Sequence, residues 1–126
     1  MYALDGIKVT DLSAYIAGSY CATLLADMGA DVVKFETPGG EPFRMMAGAF
    51  MGWNRGKRDV VVDMRTQEGK EIVYKSVASS DLFLENFRPG TTERLGMDYE
   101  TIRKIKPDIV YVSLLGHGSA GPYRTF

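Results

Sequence analysis

Two short polar segments carry the side chains best suited to bind an anionic ligand that has an aromatic ring. Each follows an apolar run directly, and their residues are Val62, Asp63, Met64, Arg65 and Asn86, Phe87, Arg88. An arginine pairs with phosphate oxygens, an aromatic ring covers a base, and an amide hydrogen-bonds a polar group. A purely structural interpretation fits equally well, with Phe87 filling the core and Asp63 and Arg65 forming an ordinary surface ion pair.

A third candidate is the turn at residues 13–19, which joins a predicted strand to a predicted helix. It holds one glycine, Gly18, where a dinucleotide-binding turn needs three, so an NAD or FAD site is not expected. Exposed N–H groups at a helix start still suit a phosphate or a carboxylate. Simple entry into a helix explains the turn equally well.

Other reactive side chains predict less. Residues 54–58 place three cations beside a glycine, and such a run is either a phosphate site or a solvated basic turn. His117 is the only histidine and lies in a glycine-rich loop, where a structural or exposed role is more common than a catalytic one. One Cys and one His cannot supply a zinc site, so no metal is expected.

The composition excludes several classes of function. Fifteen basic against sixteen acidic residues give a formal net charge of -1, so nucleic-acid binding is not expected. The length of 126 residues, with 45% apolar, is that of one domain. Cys21 is alone and cannot form an internal disulfide, and no apolar run predicts a signal peptide or a membrane span. These features indicate a cytoplasmic protein.

Alternating strands and helices position the candidate segments. The hydrophobic patterns predict strands at residues 7–12, 31–36, 59–64, 81–84 and 108–114, and helices at 17–28, 66–80, 91–95 and 99–105. This order predicts an α/β fold with a parallel sheet and helices on both faces. Ligand sites in such sheets lie at the carboxyl ends of the strands, which is where the candidate segments fall.

Residues 38–57 form a long stretch with no predicted element. Connectors of this length are usually functional or disordered. The stretch contains several large apolar side chains, including Phe43, Phe50 and Trp53, which is too many for a simply solvated loop. We therefore expect it to lie against another surface.

Five motifs in this order resemble the class III CoA-transferase family. They are residues 4–7, residues 25–34, residues 54–58, residues 85–90 with 93–96, and Gly116, Gly118, Gly121, Pro122 and Tyr123. The resemblance covers essentially the whole chain. The family includes formyl-CoA and carnitine-CoA transferases as well as α-methylacyl-CoA racemases.

The resemblance implies that residues 1–126 are the N-terminal part of a Rossmann-like large domain that binds CoA. It places the CoA contacts on Ile16, Ala17, Val62, Asp63, Met64, Arg65, Asn86, Phe87, Arg88 and Arg94. Many members carry an arginine where this chain has Thr37, and Arg44 or Lys57 are possible substitutes. In the full-length protein, a small domain follows and two chains form an interlocked homodimer.

The substrates implied are an acyl-CoA, with coenzyme A as the thioester carrier, and a small carboxylic acid, with no nucleic acid, membrane or metal involved. The transferases of this family use an aspartate nucleophile, which attacks the thioester to give a mixed anhydride and a free CoA thiolate. That aspartate, like the histidine of the racemases, aligns beyond Phe126, so the chain alone is expected to bind CoA without turnover. A racemase-type isomerase and a non-catalytic CoA-binding module remain open alternatives.

Overall fold

The computed structural model describes residues 1–125. Its strands are β1 (Lys8–Asp11), β2 (Asp31–Glu36), β3 (Arg58–Val61), β4 (Leu82–Glu85) and β5 (Val110–Ser113). Its α-helices are α1 (Ala17–Asp27), α2 (Ala47–Asn54), α3 (Gln67–Ala78), α4 (Thr91–Leu95) and α5 (Tyr99–Ile105), and a 3₁₀ helix spans Pro42–Met45. Every predicted strand and helix is present, with ends that lie within three residues of the predicted ones.

The strands form one parallel sheet in the order β3-β2-β1-β4-β5. Val9 of β1 pairs with Val32 of β2 on one side and with Leu82 of β4 on the other. The chain therefore runs outward from β1 to β3, crosses back over the sheet, and continues outward from β4 to β5. A crevice for a ligand opens where the strand order reverses, outside the carboxyl ends of β1 and β4.

Helices cover both faces of the sheet, as predicted. One face carries a small apolar cluster in which Val9, Val32 and Leu84 pack with Ala22 of α1. The other face carries a larger cluster of Phe35 and Phe83 from the strands, with α3 and α5 contributing Val73, Val77 and Ile102. The alternation of side chains along each strand sends successive residues to opposite faces and so feeds both clusters.

The helix boundaries follow from local chemistry. Thr66 accepts a hydrogen bond from the Gly69 N–H at 3.0 Å, and Asp98 accepts one from the Thr101 N–H at 3.1 Å, so side-chain caps begin α3 and α5. Gly29 follows α1 with φ of 102°, in the left-handed region that an L residue rarely enters. These caps confirm the helix ends predicted at Thr66 and Gly29.

The prediction that residues 38–57 lack regular structure is wrong, because they contain the 3₁₀ helix and α2. The sequence of α2, AGAFMGWN, is apolar all round and has two glycines, so no helical period stands out. The helix does lie against another surface. The rings of Trp53 and Tyr20 meet edge to face at 5.3 Å, and Thr23 of α1 donates a hydrogen bond to the Trp53 carbonyl at 2.5 Å.

None of the helices among residues 1–125 is long and apolar enough to cross a membrane.

The start of α3 packs directly on the loop that follows β3. A β-carbon at Gly69 would lie 2.0 Å from the carbonyl oxygen of Asp63. No side chain fits in that space, so the close approach requires glycine. Gly69 therefore fixes the position of one of the two candidate binding segments.

We predict that Gly69→Ala lowers the free energy of unfolding by about 1–3 kcal/mol, because the added methyl group forces α3 away from the loop. Gly52→Ala in α2 is the matched control, since its β-carbon meets nothing within 4 Å. That substitution should raise stability by about 0.5–1 kcal/mol through helix propensity. Urea unfolding measures both, and equal effects of the two substitutions would contradict the packing argument.

Candidate functional site

Several loops meet at the carboxyl edge of the sheet around the ring of Phe87. A cleft of about 450 Å³ lies between the loops after β2, β3 and β4, and we call it the Phe87 cleft. Its lining residues are Thr37, Pro38, Gly39, Asp63, Met64, Arg65, Phe87, Thr91 and Leu95. Two neighbouring clefts of about 180 and 300 Å³ also have Phe87 in their walls. The Phe87 ring is half-buried and packs on the larger core cluster, so it both contacts the core and faces the clefts.

The two segments selected from the sequence are brought together at this edge. Val62 and Met64 turn inward and are buried, whereas Arg65 is exposed. The Arg65 guanidinium makes two hydrogen bonds to the Asp63 carboxylate, at 2.9 and 2.8 Å. These hydrogen bonds lower the pKa of Asp63 to about 2. The pair lies in water, and exposed pairs are weak, so Arg65 can exchange its partner readily.

Asn86 hydrogen-bonds the backbone of the turn after β1. Its Oδ1 accepts a hydrogen bond from the Ala14 N–H at 2.8 Å, and its Nδ2 donates one to the Ala14 carbonyl at 2.7 Å. Both polar atoms of the amide are therefore committed to the turn after β1. This contact spans the crevice where the strand order reverses and joins the loops after β1 and β4.

The turn after β1, residues 12–16, is held by side chains at its three central residues, 13–15. Asp11 accepts hydrogen bonds from the Ser13 N–H at 2.8 Å and from the Ser13 hydroxyl at 2.5 Å, and Lys34 donates one to the Ser13 carbonyl at 2.6 Å. Glu41 accepts one from the Tyr15 N–H at 2.7 Å. We call residues 12–16 the first turn.

Gly18 has a packing role at the first turn. A β-carbon at this position would lie 2.3 Å from the Ser13 β-carbon and 3.1 Å from the Asn86 Cγ. The single glycine in this segment therefore lets α1 approach the turn closely. This contact explains the glycine without a phosphate-binding loop.

Lys57 is buried on the α1 face of the sheet. Its ammonium group lies 3.0 Å from the Asp11 carboxylate, with the two side chains 1% and 0% exposed. The same nitrogen donates to the Ser19 carbonyl at 2.8 Å and to Asn54 at 3.1 Å. Burial lowers the pKa of Lys57, and the neighbouring Asp11 carboxylate partly opposes that shift. This lysine is not available to a phosphate.

The other cations of the basic run also pair internally. Arg55 pairs with Asp27 at the end of α1, and Arg58 pairs with Asp31 at the amino end of β2 at 2.6 Å. Asp31 begins its strand, so Arg58 lies at the edge opposite the Phe87 cleft. The run is thus a set of ion pairs, and the interpretation of residues 54–58 as a phosphate cluster is not supported.

Arg44 is also committed. It hydrogen-bonds Glu36 at 2.6 and 2.9 Å, pairs with Asp59, and its guanidinium lies 4.1 Å from the centre of the Phe50 ring. Burial would raise the pKa of Glu36, but hydrogen bonds from Arg44 and the backbone lower it on balance. Neither suggested substitute for the missing arginine, Arg44 or Lys57, is therefore free, although Thr37 itself lines the Phe87 cleft.

The remaining predicted site residues, Arg88, Arg94, Ile16 and Ala17, do not line the Phe87 cleft. Arg88 lines the adjacent cleft of about 300 Å³ with Glu85 and Ser113. Arg94 is exposed on α4. Ile16 and Ala17 are exposed at the start of α1, and their N–H groups have no acceptor within residues 1–125.

Sequence reasoning missed Lys34, Asp11 and Glu41, which hold the first turn. Lys34 lies between Val33 and Phe35 in an apolar strand, and such a placement requires hydrogen-bond acceptors in the interior. The role of Lys34 was therefore predictable from its position in the sequence. The role of Glu41 was not, because Glu41 lies in a stretch with no predicted element.

The chain is similar to known proteins in both sequence and structure. The model of CoA-transferase family III matches residues 4–126. The chain belongs to this family. The succinyl-CoA–D-citramalate CoA-transferase of Chloroflexus aurantiacus is 40% identical over 130 residues, covering 96% of this chain and 32% of that protein. The succinyl-CoA:mesaconate CoA-transferase of Haloarcula hispanica is 43% identical, covering 94% of this chain and 33% of that protein.

Solved structures agree with this assignment. A CaiB/BaiF family protein from Brucella suis superposes with a TM-score of 0.95 at 39% identity, covering 98% of this chain and 36% of that one. A short-chain dehydrogenase/reductase family protein shares only the fold, at a TM-score of 0.53 and 16% identity. The family resemblance and the α/β fold are thus confirmed. The chain spans about a third of the length of the curated relatives it matches.

We predict that Lys57→Met lowers the free energy of unfolding by about 3–5 kcal/mol, because it leaves the buried Asp11 carboxylate without the positive charge that pairs with it. Arg58→Met is the matched control, since it removes an exposed pair and should cost less than about 1 kcal/mol. Urea unfolding measures the difference. Similar losses in the two variants would show that the buried pair is not distinctive.

A second prediction concerns the ion pair in the Phe87 cleft. In Arg65→Ala, the pKa of Asp63 should rise from about 2 toward its ordinary value of 3.8, because the hydrogen bonds from the guanidinium are gone and only the one from the backbone N–H of residue 65 is left. NMR titration of the side-chain carboxyl carbon reports this pKa directly. Arg88→Ala is the control and should leave it unchanged. An Asp63 pKa that does not respond to Arg65→Ala would contradict the pairing.

Proposed function

We propose that the chain binds the CoA moiety of an acyl-CoA at the Phe87 cleft, as the CoA-binding part of a class III CoA-transferase. The observation that carries the proposal is the convergence of Arg65 and Phe87 on one cleft at the carboxyl edge of the sheet. A cation and a half-buried ring side by side suit a nucleotide phosphate and an adenine. Membership of the family supports the same ligand.

The residues have distinct proposed roles. The Phe87 ring contacts the adenine, and Arg65 pairs with a phosphate after releasing Asp63. Arg88 and Arg94 add positive charge from beside the cleft, while the exposed N–H groups of Ile16 and Ala17 hydrogen-bond an anionic or carbonyl oxygen. Val62, Met64 and Asn86 hold the loops in place without contacting the ligand through polar side-chain atoms.

The proposed reaction moves CoA from an acyl-CoA to a carboxylic acid. Relatives named for succinyl-CoA with D-citramalate, mesaconate or glutarate favour a dicarboxylic acyl donor and a dicarboxylic acceptor. A carboxylate attacks the thioester carbonyl, the carbon–sulfur bond breaks, and the CoA thiolate leaves as a mixed anhydride forms. We propose that this chain is about a third of a longer cytoplasmic protein. The rest of that protein supplies the carboxylate and the small domain, and two such chains form an interlocked dimer.

The names of the relatives favour one of the alternatives. The relatives that act on D-citramalate, mesaconate and glutarate are all CoA-transferases, so transfer is favoured over racemisation. A protein extended to the length of its relatives should release succinate from succinyl-CoA when mesaconate is supplied. Exchange of the α-hydrogen of an acyl-CoA in D₂O, without release of a free acid, would instead support the racemase.

We predict that Arg65→Ala and Arg94→Ala each weaken CoA binding about tenfold, the equivalent of losing one charge-assisted contact. Arg103→Ala is the matched control, because this exposed arginine of α5 pairs with Glu100 and should not contact CoA. Calorimetric titration with CoA measures the affinities. Pantetheine lacks the phosphates and should bind all variants equally.

Unchanged CoA affinity in both Arg65→Ala and Arg94→Ala would refute the assignment. An equal loss in Arg103→Ala would show a general charge effect and would also contradict it.

A further inference from the structure

We propose that Glu41 is a positioning residue for the ligand. Through the backbone of Tyr15, it holds the first turn in the conformation that presents the N–H groups of Ile16 and Ala17. This inference rests on the proposed CoA site and names a residue that neither the sequence motifs nor the family resemblance points to. Glu41 itself is not expected to touch the CoA thioester.

The backbone at Tyr15 has a conformation that needs support. Its φ is 60°, and among residues 1–125 it is the one non-glycine residue with a positive φ. A bulky L side chain is unfavourable there, since its β-carbon crowds the backbone. Such residues persist only where the surroundings fix them, and they cluster at ligand-binding sites. Something outside the turn must therefore hold Tyr15.

Glu41 supplies that support. Its Oε1 accepts the Tyr15 N–H at 2.7 Å, and the residue is only 5% exposed, so water competes little for the bond. Glu41 is anchored in turn, because its own N–H donates to Glu36 at 2.9 Å and Glu36 accepts from Arg44 at 2.6 Å. A continuous line of contacts thus joins Arg44 to the first turn.

A second loop holds the preceding peptide. Asn86 pairs with both the N–H and the carbonyl of Ala14, so two successive residues of the turn are fixed by side chains from different strand ends. The ring of Tyr15 adds an edge-to-face contact with Phe43 at 5.8 Å. The turn therefore has little freedom to relax unless one of these partners is removed.

The two carboxylate oxygens of Glu41 have different surroundings, and this difference decides which substitutions can test its role. Oε2 is buried and has no hydrogen-bond partner within residues 1–125, and Glu41 lines the cleft of about 180 Å³ that also borders Phe87. The bond to Tyr15 needs only one acceptor oxygen. A glutamine keeps that acceptor, whereas an alanine loses it.

The consequence for binding follows from the geometry at the start of α1. Tyr15 immediately precedes Ile16 and Ala17, whose N–H groups have no acceptor within residues 1–125. If Tyr15 moves to a negative φ, the turn rotates relative to α1, and the direction in which these two N–H groups point changes with it. Glu41 should therefore affect ligand affinity without contacting the ligand.

The test combines CoA titration with hydrogen exchange at the Tyr15 amide. Glu41→Ala should weaken CoA binding about tenfold and speed exchange of the Tyr15 amide by tenfold or more, and Glu41→Gln should keep most of both properties. In the Glu41→Ala background, Tyr15→Gly should recover affinity and Tyr15→Ala should not. Both remove the ring, but only glycine adopts a φ of 60° without strain.

Asp98→Ala is the control for general destabilisation. It removes the cap of α5 and should lower the unfolding temperature without changing CoA affinity. If Glu41→Ala behaves like Asp98→Ala, with CoA affinity unchanged and no rescue by Tyr15→Gly, the inference is overturned.

The experiment distinguishes a failure of the proposed CoA site from a failure of the proposed role of Glu41. If the unaltered chain does not bind CoA, the CoA site is wrong, while hydrogen exchange still decides the role of Glu41. A Tyr15 amide that stays equally protected in Glu41→Ala would overturn the positioning role whatever the ligand result.

Discussion

The structure of the candidate site depends on one constraint: the turn between β1 and α1 cannot satisfy its own backbone. Ser13, Ala14 and Tyr15 make their hydrogen bonds to Lys34, Asn86 and Glu41, each from another strand or loop. Buried N–H and C=O groups need partners, so these side chains are structurally required. The turn therefore acquires its shape only when β2 and β4 have paired with β1. Loops distant in sequence become one rigid edge in this way.

The two faces of the sheet have different roles: one supplies stability, and the other positions the first turn. The face under α3 and α5 is an apolar core built around Phe83, and hydrophobic burial there supplies most of the stability. The face under α1 carries Lys34 and the Asp11–Lys57 pair next to a small apolar cluster. A buried ion pair adds little net stability to a protein, but removing one of its two partners destabilises the protein strongly. Here Lys34 and the Asp11–Lys57 pair fix the first turn and the end of α2 relative to β1.

Much of the fold was predictable because its signals are local. Thr66 caps its helix through a bond to a residue three positions away, and alternating strands and helices imply a parallel sheet. Parallel order alone brings Arg65 and Phe87 to one edge. The partner choices were not predictable, because Lys57 pairs with Asp11 across 46 positions and Asn86 reaches Ala14 across 72. A basic run and a polar loop looked available for a ligand, yet the folded chain uses them internally.

The absence of a cation at Thr37 has a further consequence for how such a site works. The Phe87 cleft has one arginine in its wall, Arg65, and this residue shares its charge with Asp63. A CoA nucleotide carries several negative charges, so its attraction cannot come from this cleft alone. In the proposed site, the remaining attraction therefore comes from Arg88, from Arg94 and from the N–H groups at the start of α1, which act as fixed dipoles. Dipoles act only at short range and in one direction. The fewer cations the site has, the more its affinity depends on the geometry of the first turn.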